Sequence, residues 1–232
     1  MIKKCSLLCF AFLMAACSAP DAVYVSGSST VLPPVSKAAE KFTADTGISV
    51  IVNAGGSGGG FNQLAEGQSD IGMMSRNITA GEREAFKGTN FTEVAIGRDA
   101  VVPSISSEIY EAGVTSLTLS QIAGIYTGSI QNWSELGGPD RDIFVIDKEA
   151  SRGTRQVFME VVLGDPKAEA PGADLVTGSN NEEQTALVQS DAGIGMLSVA
   201  WLNEDVRGLA IILDNGTVVE SSIDNIRAGA YP

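Results

Sequence analysis

Three segments of the chain place serine, threonine and glycine directly after a predicted strand and before a predicted helix. They are Gly-Ser-Ser-Thr at residues 27–30, the glycine run that contains Ser57 at residues 55–60, and Ser-Arg-Gly-Thr at residues 151–154. The first N–H groups of a helix point outward, the helix dipole favours negative charge, and hydroxyls add further donors. Each segment could therefore cradle an oxyanion. One such loop alone is more typical of helix capping, but three in one chain favour a binding site.

A fourth segment, residues 69–76, is a short apolar strand that ends in a hydroxyl and a guanidinium, those of Ser75 and Arg76. Arginine offers a rigid bidentate fork to an oxyanion. This makes Arg76 the leading cationic candidate, and a surface arginine at a strand end is the alternative interpretation. The other cations near a candidate loop are Lys148, Arg152 and Arg155.

The glycine run matches neither of the common nucleotide-binding motifs. Phe61 and Asn62 follow Gly60 where a phosphate-binding loop of the Walker type has Lys and Ser or Thr. A dinucleotide-binding fingerprint needs an acidic residue about 20 residues further on in a matching strand, and none is found there. Nucleotide chemistry is therefore not expected.

The composition excludes several classes of function. The chain has 232 residues, with 15 Lys and Arg, 28 Asp and Glu, no His, and a formal net charge of -13. Without imidazole there can be no Ser-His-Asp triad, Cys-His dyad or His-ligated metal. The acidic balance argues against nucleic-acid binding. We expect neither an enzyme nor a cofactor or metal, because a His-free hydrolase would need a carboxylate-rich metal site that the candidate loops lack.

The N-terminal residues are typical of a bacterial lipoprotein signal. Lys3 and Lys4 precede an apolar run that ends in Ala15, Ala16 and Cys17. The run is short for a membrane span, and small residues before a cysteine suit cleavage by a lipoprotein signal peptidase. We expect residues 1–16 to be removed and Cys17 to be lipidated, so that the protein is exported and anchored to a bacterial membrane, facing the periplasm or the cell exterior. An ordinary signal or a short anchor helix is the alternative.

The hydrophobic pattern predicts an α/β architecture with parallel strands, because short strands alternate with helices from residue 22 onward. Predicted strands cover residues 22–26, 48–54, 71–74, 100–106, 143–147 and 194–197. Predicted helices run from Pro33 to Gly47 and over residues 61–66, 82–87, 119–126, 154–163 and 182–189.

Taken together and in order, the motifs resemble those of the substrate-binding lipoproteins of phosphate ABC transporters, the PstS type. The resemblance spans nearly the whole mature chain and is closest to the shorter members. It is carried by Gly-Ser-Ser-Thr-Val at 27–31, the glycine run at 55–60, residues 69–76, residues 119–128 leading to Asn132 and Trp133, Arg-Gly-Thr-Arg at 152–155, and Gly-Ile-Gly-Met at 193–196.

The resemblance implies an α/β, two-lobed periplasmic-binding-protein-like fold of type II. Each lobe would be a mixed β-sheet flanked by helices, with the ligand cleft between the lobes. The chain would cross twice between lobes. One lobe would comprise residues 17–98 with 199–232, and the other residues 99–198.

The resemblance also implies a ligand, partners and a set of binding residues. The ligand would be inorganic phosphate, and the partners a membrane permease and the membrane itself through a lipid on Cys17. A monomer is expected. The implied phosphate-binding residues are Ser29, Thr30, Val31, Ser57, Ser75 and Arg76 in the first lobe and Ser151, Arg152, Gly153 and Thr154 in the second.

The chain departs from the family pattern at positions that bear on selectivity. Many members have serine where Arg152 stands, and a family arginine appears as Lys148. Long members carry an acidic residue at the position of Ser75, which accepts the proton of hydrogen phosphate and so rejects sulfate. A carboxylate among Asp70, Asp147 and Glu149 could replace it. Sulfate, molybdate or arsenate therefore stay open as ligands, as does a lipoprotein sensor or adhesin that reuses the fold.

Overall fold

The computed structural model describes residues 22–232. The predicted signal peptide and Cys17 lie outside these residues. Among the helices described, none has the length and apolar character that crossing a membrane requires.

The first lobe is built on a parallel three-stranded sheet in the order β2-β1-β3. The helices α1 and α2 connect these strands, as the alternating pattern predicts, and α3 follows β3. The elements are β1 (Val23–Gly27), α1 (Leu32–Thr46), β2 (Val50–Ala54), α2 (Gly56–Ala65), β3 (Ile71–Met73) and α3 (Ala80–Ala85).

The glycine run is helical, which corrects the prediction of a loop at residues 55–60. Helix α2 begins at Gly56, five residues earlier than predicted. Glycine allows this helix to lie directly on β1, because a Cβ on Gly60 would come within 2.6 Å of the Gly27 Cα atom. The run therefore lets the helix and the strand approach closely.

The second lobe contains a five-stranded mixed sheet in the order β7-β6-β8-β4-β9 and a small sheet in the order β11-β10-β5. Strand β6 pairs in parallel with β7 and β8, whereas β4 runs antiparallel to β8 and β9. The elements are β4 (Val101–Ser106), α4 (Ser107–Glu111), β5 (Ser116–Thr118), α5 (Leu119–Tyr126), β6 (Phe144–Lys148), α6 (Gly153–Leu163), β7 (Leu175–Thr177), α7 (Asn180–Gln189), β8 (Gly193–Ser198), β9 (Val206–Gly208), β10 (Ala210–Ile212), β11 (Val218–Val219) and α8 (Ile223–Ala228).

The C-terminal strands pair within the second lobe. Strand β9 pairs with β4 and β10 pairs with β5. Leu209, Ile211 and Tyr231 belong to the same hydrophobic core as Trp133 and Ile194. The family resemblance implies that residues 199–232 belong to the first lobe, whereas these pairings place residues 206–219 in the second. Strands of two or three residues carry too little pattern to show which sheet they join.

The fold class predicted from the sequence is confirmed. Helices flank mixed and parallel sheets, and the strands fall into two groups, one built on β1 and one on β4 and β6. Helices α2 of the first lobe and α6 of the second contact each other. The predicted cleft segments therefore meet where these two helices begin.

Candidate functional site

The three helices predicted to form oxyanion cradles begin without a side-chain cap. Val31, Gly55 and Arg152 stand at the N-cap positions of α1, α2 and α6, and no side chain of these residues accepts a hydrogen bond from the helix. Helices α3, α5, α7 and α8 are each capped by a serine or threonine side chain, whereas the short helix α4 also lacks a side-chain cap. Since the first N–H groups of a helix need acceptors, the uncapped starts of α2 and α6 are suited to bind an anion. The start of α1 offers no free N–H group, because Pro33 and Pro34 have none and the Leu32 N–H donates to the Ser28 carbonyl at 3.1 Å.

Five predicted ligand side chains lie together where the lobes meet. We call Ser29, Thr30, Ser57, Ser75 and Thr154 the hydroxyl cluster. All but Ser75 are buried, with Ser57 fully so. The Thr30 and Thr154 hydroxyl oxygens are 3.1 Å apart across the two lobes. The cluster thus brings together hydroxyls from residues that are far apart in sequence.

Ser57 and Ser75 form the second half of the cluster. Their hydroxyl oxygens are 3.2 Å apart, and the Ser75 N–H donates to the Ser57 Oγ atom at 3.2 Å. Gly153 of the second lobe packs directly against both, since a Cβ at this glycine would lie 2.3 Å from Ser57 Oγ and 2.5 Å from Ser75 Oγ. Glycine is therefore required here for the lobes to approach.

The backbone groups of two further predicted ligand residues, Ser151 and Val31, are engaged within the protein. The Ser151 carbonyl accepts a hydrogen bond from the Gly58 N–H at 3.1 Å, which joins the starts of α6 and α2. The Val31 N–H donates to the Ser28 carbonyl at 3.1 Å, so this predicted donor already has an acceptor.

Arg152 lies over the start of α2, at Gly56. Its Nε atom donates to Glu149 at 2.8 Å and its terminal nitrogen pairs with the same carboxylate. Arg152 is therefore close to the site but is neutralised by Glu149.

Arg76, the leading cationic candidate, is held by Glu82. Both terminal nitrogens of the guanidinium donate to the Glu82 carboxylate, at 2.8 and 2.7 Å. Burial alone would raise the pKa of Glu82, but the hydrogen bonds from Arg76 and Thr79 outweigh it and hold the pKa below its ordinary value. An anion would have to compete with this bidentate pair for the terminal nitrogens, whereas the buried Nε atom of Arg76 has no hydrogen-bond partner among the described residues.

The other two predicted cations near the site are also paired. Arg155 forms a buried ion pair with Asp147, whose carboxylate accepts from Nε at 2.9 Å. Lys148 is buried against the Glu183 carboxylate. Burial lowers the pKa of Lys148 well below its ordinary value, although the Asp147 carboxylate opposes this. The cationic side chains around the hydroxyl cluster thus each have a carboxylate partner.

Sequence reasoning missed Asn180, which lies against the hydroxyl cluster. It is the first residue of α7 and fully buried. Its N–H donates to Ser29 Oγ at 3.2 Å, and its side-chain Nδ2 donates to Thr30 Oγ1 at 3.0 Å. The signal available in the sequence was another strand end followed by Gly178 and Ser179 before a helix, the same arrangement as in the three loops singled out.

The arrangement suits an oxyanion held by neutral donors. Hydroxyls and uncapped helix starts supply partial positive charge, and their low exposure reduces the competition from water. Buried charged side chains nearby are matched in pairs, so the site needs no net positive charge. An arrangement of this kind is compatible with the net charge of -13.

Comparison with known proteins identifies the class. A family model described as a PBP superfamily domain matches residues 15–232. The chain therefore belongs to the PBP superfamily. The phosphate-binding protein PstS of Bacillus subtilis is 31% identical over 215 residues, which cover 92% of this chain and 68% of that protein. Within the superfamily, the chain belongs to the family of the PstS phosphate-binding proteins.

A second relative and two solved structures agree with this assignment. PstS of Staphylococcus saprophyticus is 29% identical, over 88% of this chain and 65% of its own length. One solved structure is that of a Clostridium perfringens protein assigned as the substrate-binding protein of a phosphate ABC transporter, with phosphate bound. It superposes on this chain with a TM-score of 0.80 and is 31% identical in sequence. The superposition covers 91% of this chain and 82% of the Clostridium perfringens chain. The structure of an ABC-type phosphate transport receptor from Vibrio cholerae superposes with a TM-score of 0.65 at 28% sequence identity. The superposition covers 90% of this chain and 82% of the receptor chain. The chain spans about two thirds of the length of the PstS relatives, 68% and 65%.

Proposed function

We propose that this protein captures inorganic phosphate between its lobes and delivers it to the permease of an ABC importer. The observation that carries the proposal is the meeting of two uncapped helix starts, those of α2 and α6, at one largely buried hydroxyl cluster. The relatives named above support phosphate as the anion. No step of this function requires an enzyme's chemistry or a cofactor.

The energetics of such a site are sufficient. A hydrogen bond to a charged group contributes about 1.5–3 kcal/mol. About six to ten of them, less an association cost of at least about 4 kcal/mol, allow micromolar or tighter binding. Because donors come from both lobes, phosphate would stabilise the form in which the lobes are closed, and the permease would recognise that form.

Isothermal titration calorimetry on the full chain, purified in detergent, tests the proposal with phosphate, sulfate and molybdate. We expect saturable binding of phosphate at one site and much weaker binding of the other two anions. Preferential binding of sulfate or molybdate would favour the importer of a different oxyanion. The absence of binding to all three would contradict the proposal and favour the sensor or adhesin.

The proposal includes export and a lipid anchor on Cys17. Replacing Cys17 with serine should abolish incorporation of a radiolabelled fatty acid and release the protein from the membrane fraction. The matched control is Cys9→Ser, which alters a cysteine of the segment expected to be removed. Fatty-acid labelling that survives Cys17→Ser would refute the anchor without affecting the proposal of phosphate binding.

A further inference from the structure

A buried side-chain carbonyl oxygen beside the hydroxyl cluster has no hydrogen-bond partner among the described residues. It is Oδ1 of Asn180, and it is fully buried. The other polar groups of Asn180 are both engaged, the N–H with Ser29 and Nδ2 with Thr30. Because a buried carbonyl oxygen without a donor costs free energy, native proteins rarely leave one unpaired without a functional reason.

The position of this oxygen ties it to the predicted ligand residues. Thr30 contacts both the Asn180 carboxamide and the Thr154 hydroxyl, at 3.0 and 3.1 Å. Asn180 thus lies at the start of α7 and joins the hydroxyl cluster from the second lobe. It supplies an oxygen that can only accept, whereas main-chain N–H groups can only donate.

The carboxylates considered as proton acceptors each already accept a hydrogen bond from another group. Asp147 is bound by Arg155, and Glu149 by Arg152. Asp70 accepts from the Tyr24 N–H at 2.8 Å, which makes it a loop-stabilising residue on the first lobe. Ser75, at the position expected to be acidic, is bonded to Ser57. Asn180 Oδ1 differs from these groups because it is buried at the hydroxyl cluster and accepts no hydrogen bond among the described residues.

We propose that Asn180 Oδ1 accepts the hydrogen bond of the P–OH group of a protonated phosphate, and that this residue makes the site prefer phosphate to sulfate. The inference rests on the proposed function. Hydrogen phosphate carries an O–H that needs an acceptor, and sulfate at neutral pH carries none. A sulfate oxygen facing the Asn180 carbonyl would meet a second acceptor, which is repulsive.

The test compares phosphate and sulfate titrations of the unaltered chain, Asn180→Ala, Asn180→Asp and the neighbouring control Asn181→Ala. Asn181 is exposed. We expect Asn180→Ala to lower the ratio of phosphate to sulfate affinity about tenfold or more, mainly through weaker phosphate binding. Asn180→Asp keeps an acceptor at the position and should preserve or raise the ratio. Asn181→Ala should leave the ratio unchanged. Urea unfolding of each variant shows that it is folded.

The alternative roles of Asn180 give different results. Asn180 could instead only position Thr30, or its amide nitrogen could contact the anion. In either case Asn180→Ala would weaken the binding of phosphate and sulfate equally, and Asn180→Asp would abolish the binding of both. Either result overturns the inference, while phosphate binding by the unaltered chain still stands. An unaltered chain that binds both anions with equal affinity also overturns it. An unaltered chain that binds neither anion contradicts the proposed function itself.

Discussion

The hydroxyl oxygens of Thr30 and Thr154 lie 3.1 Å apart, although 124 positions separate the two residues in the chain. Thr30 precedes α1 in the first lobe, and Thr154 lies in the first turn of α6 in the second. This contact joins the two lobes at the starts of helices that have no side-chain cap. An anion bound here would receive hydrogen bonds from both lobes at once.

Replacing Thr154 with valine should weaken phosphate binding about tenfold to a hundredfold. Valine keeps the shape of threonine and removes one hydrogen bond to a charged ligand, which is worth about 1.5–3 kcal/mol. Calorimetric titration measures the effect. The control Thr185→Val alters an exposed threonine whose hydroxyl bonds only the Asn181 carbonyl. Equal affinity in the two variants would argue against Thr154 as a ligand.

Replacing Gly153 with alanine should lower phosphate affinity by at least about tenfold, because the added methyl group would lie 3.0 Å from Ser57 Cβ and closer still to the two serine hydroxyls. The lobes would be held apart, and small-angle scattering in the presence of phosphate should show a larger radius of gyration. Gly59→Ala is the matched control.

A methyl group at Gly59 meets no atom within 4 Å. Because Gly59 lies inside α2, this control should bind phosphate normally and be more stable by about 0.5–1 kcal/mol. Normal phosphate affinity in Gly153→Ala would show that the contact with Ser57 and Ser75 is not needed for binding.

Replacing Asp147 with asparagine should lower the free energy of unfolding by about 3–5 kcal/mol, because it leaves the buried Arg155 guanidinium without its counter-ion. Both side chains of this pair are 7% exposed. Urea unfolding followed by circular dichroism gives the value. The control Asp191→Asn breaks the exposed ion pair between Asp191 and Arg141, whose side chains are 69% and 45% exposed, respectively. This substitution should lower the free energy of unfolding by less than about 1 kcal/mol. Similar losses in both variants would contradict the assignment of Asp147 to a structural role.

The Arg76–Glu82 pair should make a pH-dependent contribution to stability. The pKa of Glu82 is lower in the folded chain than its ordinary value of 4.5. The pair therefore stabilises the fold above that pH, and its contribution is lost as the pH falls through the folded pKa. At pH 7, Glu82→Gln should cost about 1.5–3 kcal/mol, because the hydrogen bonds join charged side chains that are only 10% and 18% exposed, and the difference from the unaltered chain should vanish in acid.

Unfolding measured between pH 7 and pH 3 checks this dependence. The control Glu84→Gln alters an exposed pair with Lys87 and should change the stability little at any pH. A cost of Glu82→Gln that stays constant down to pH 3 would contradict ionic pairing as the source of the stabilisation.

Local structure was largely predictable from the sequence. Helix α5 was predicted over its full extent, and α1 ends as expected at Gly47, which adopts a left-handed conformation with φ of 75°. These elements have a clear apolar period and clear terminating residues. Strand β7 and the early start of α2 were not predicted. Strand β7 has only three residues and α2 begins in a run of glycines, so neither segment shows a regular spacing of apolar residues.

The sequence by itself determined the chemistry of the site: hydroxyl-bearing and glycine-rich helix starts, the absence of histidine, and the order of motifs that identified the family. Only the tertiary structure decided which of these groups are free to act. It paired Arg76 with Glu82, brought Asn180 to Thr30, and placed β9 and β10 in the second lobe. The physical reason is that ion pairs, strand pairings and lobe contacts join residues far apart in the chain, and local periodicity contains no information about such partners.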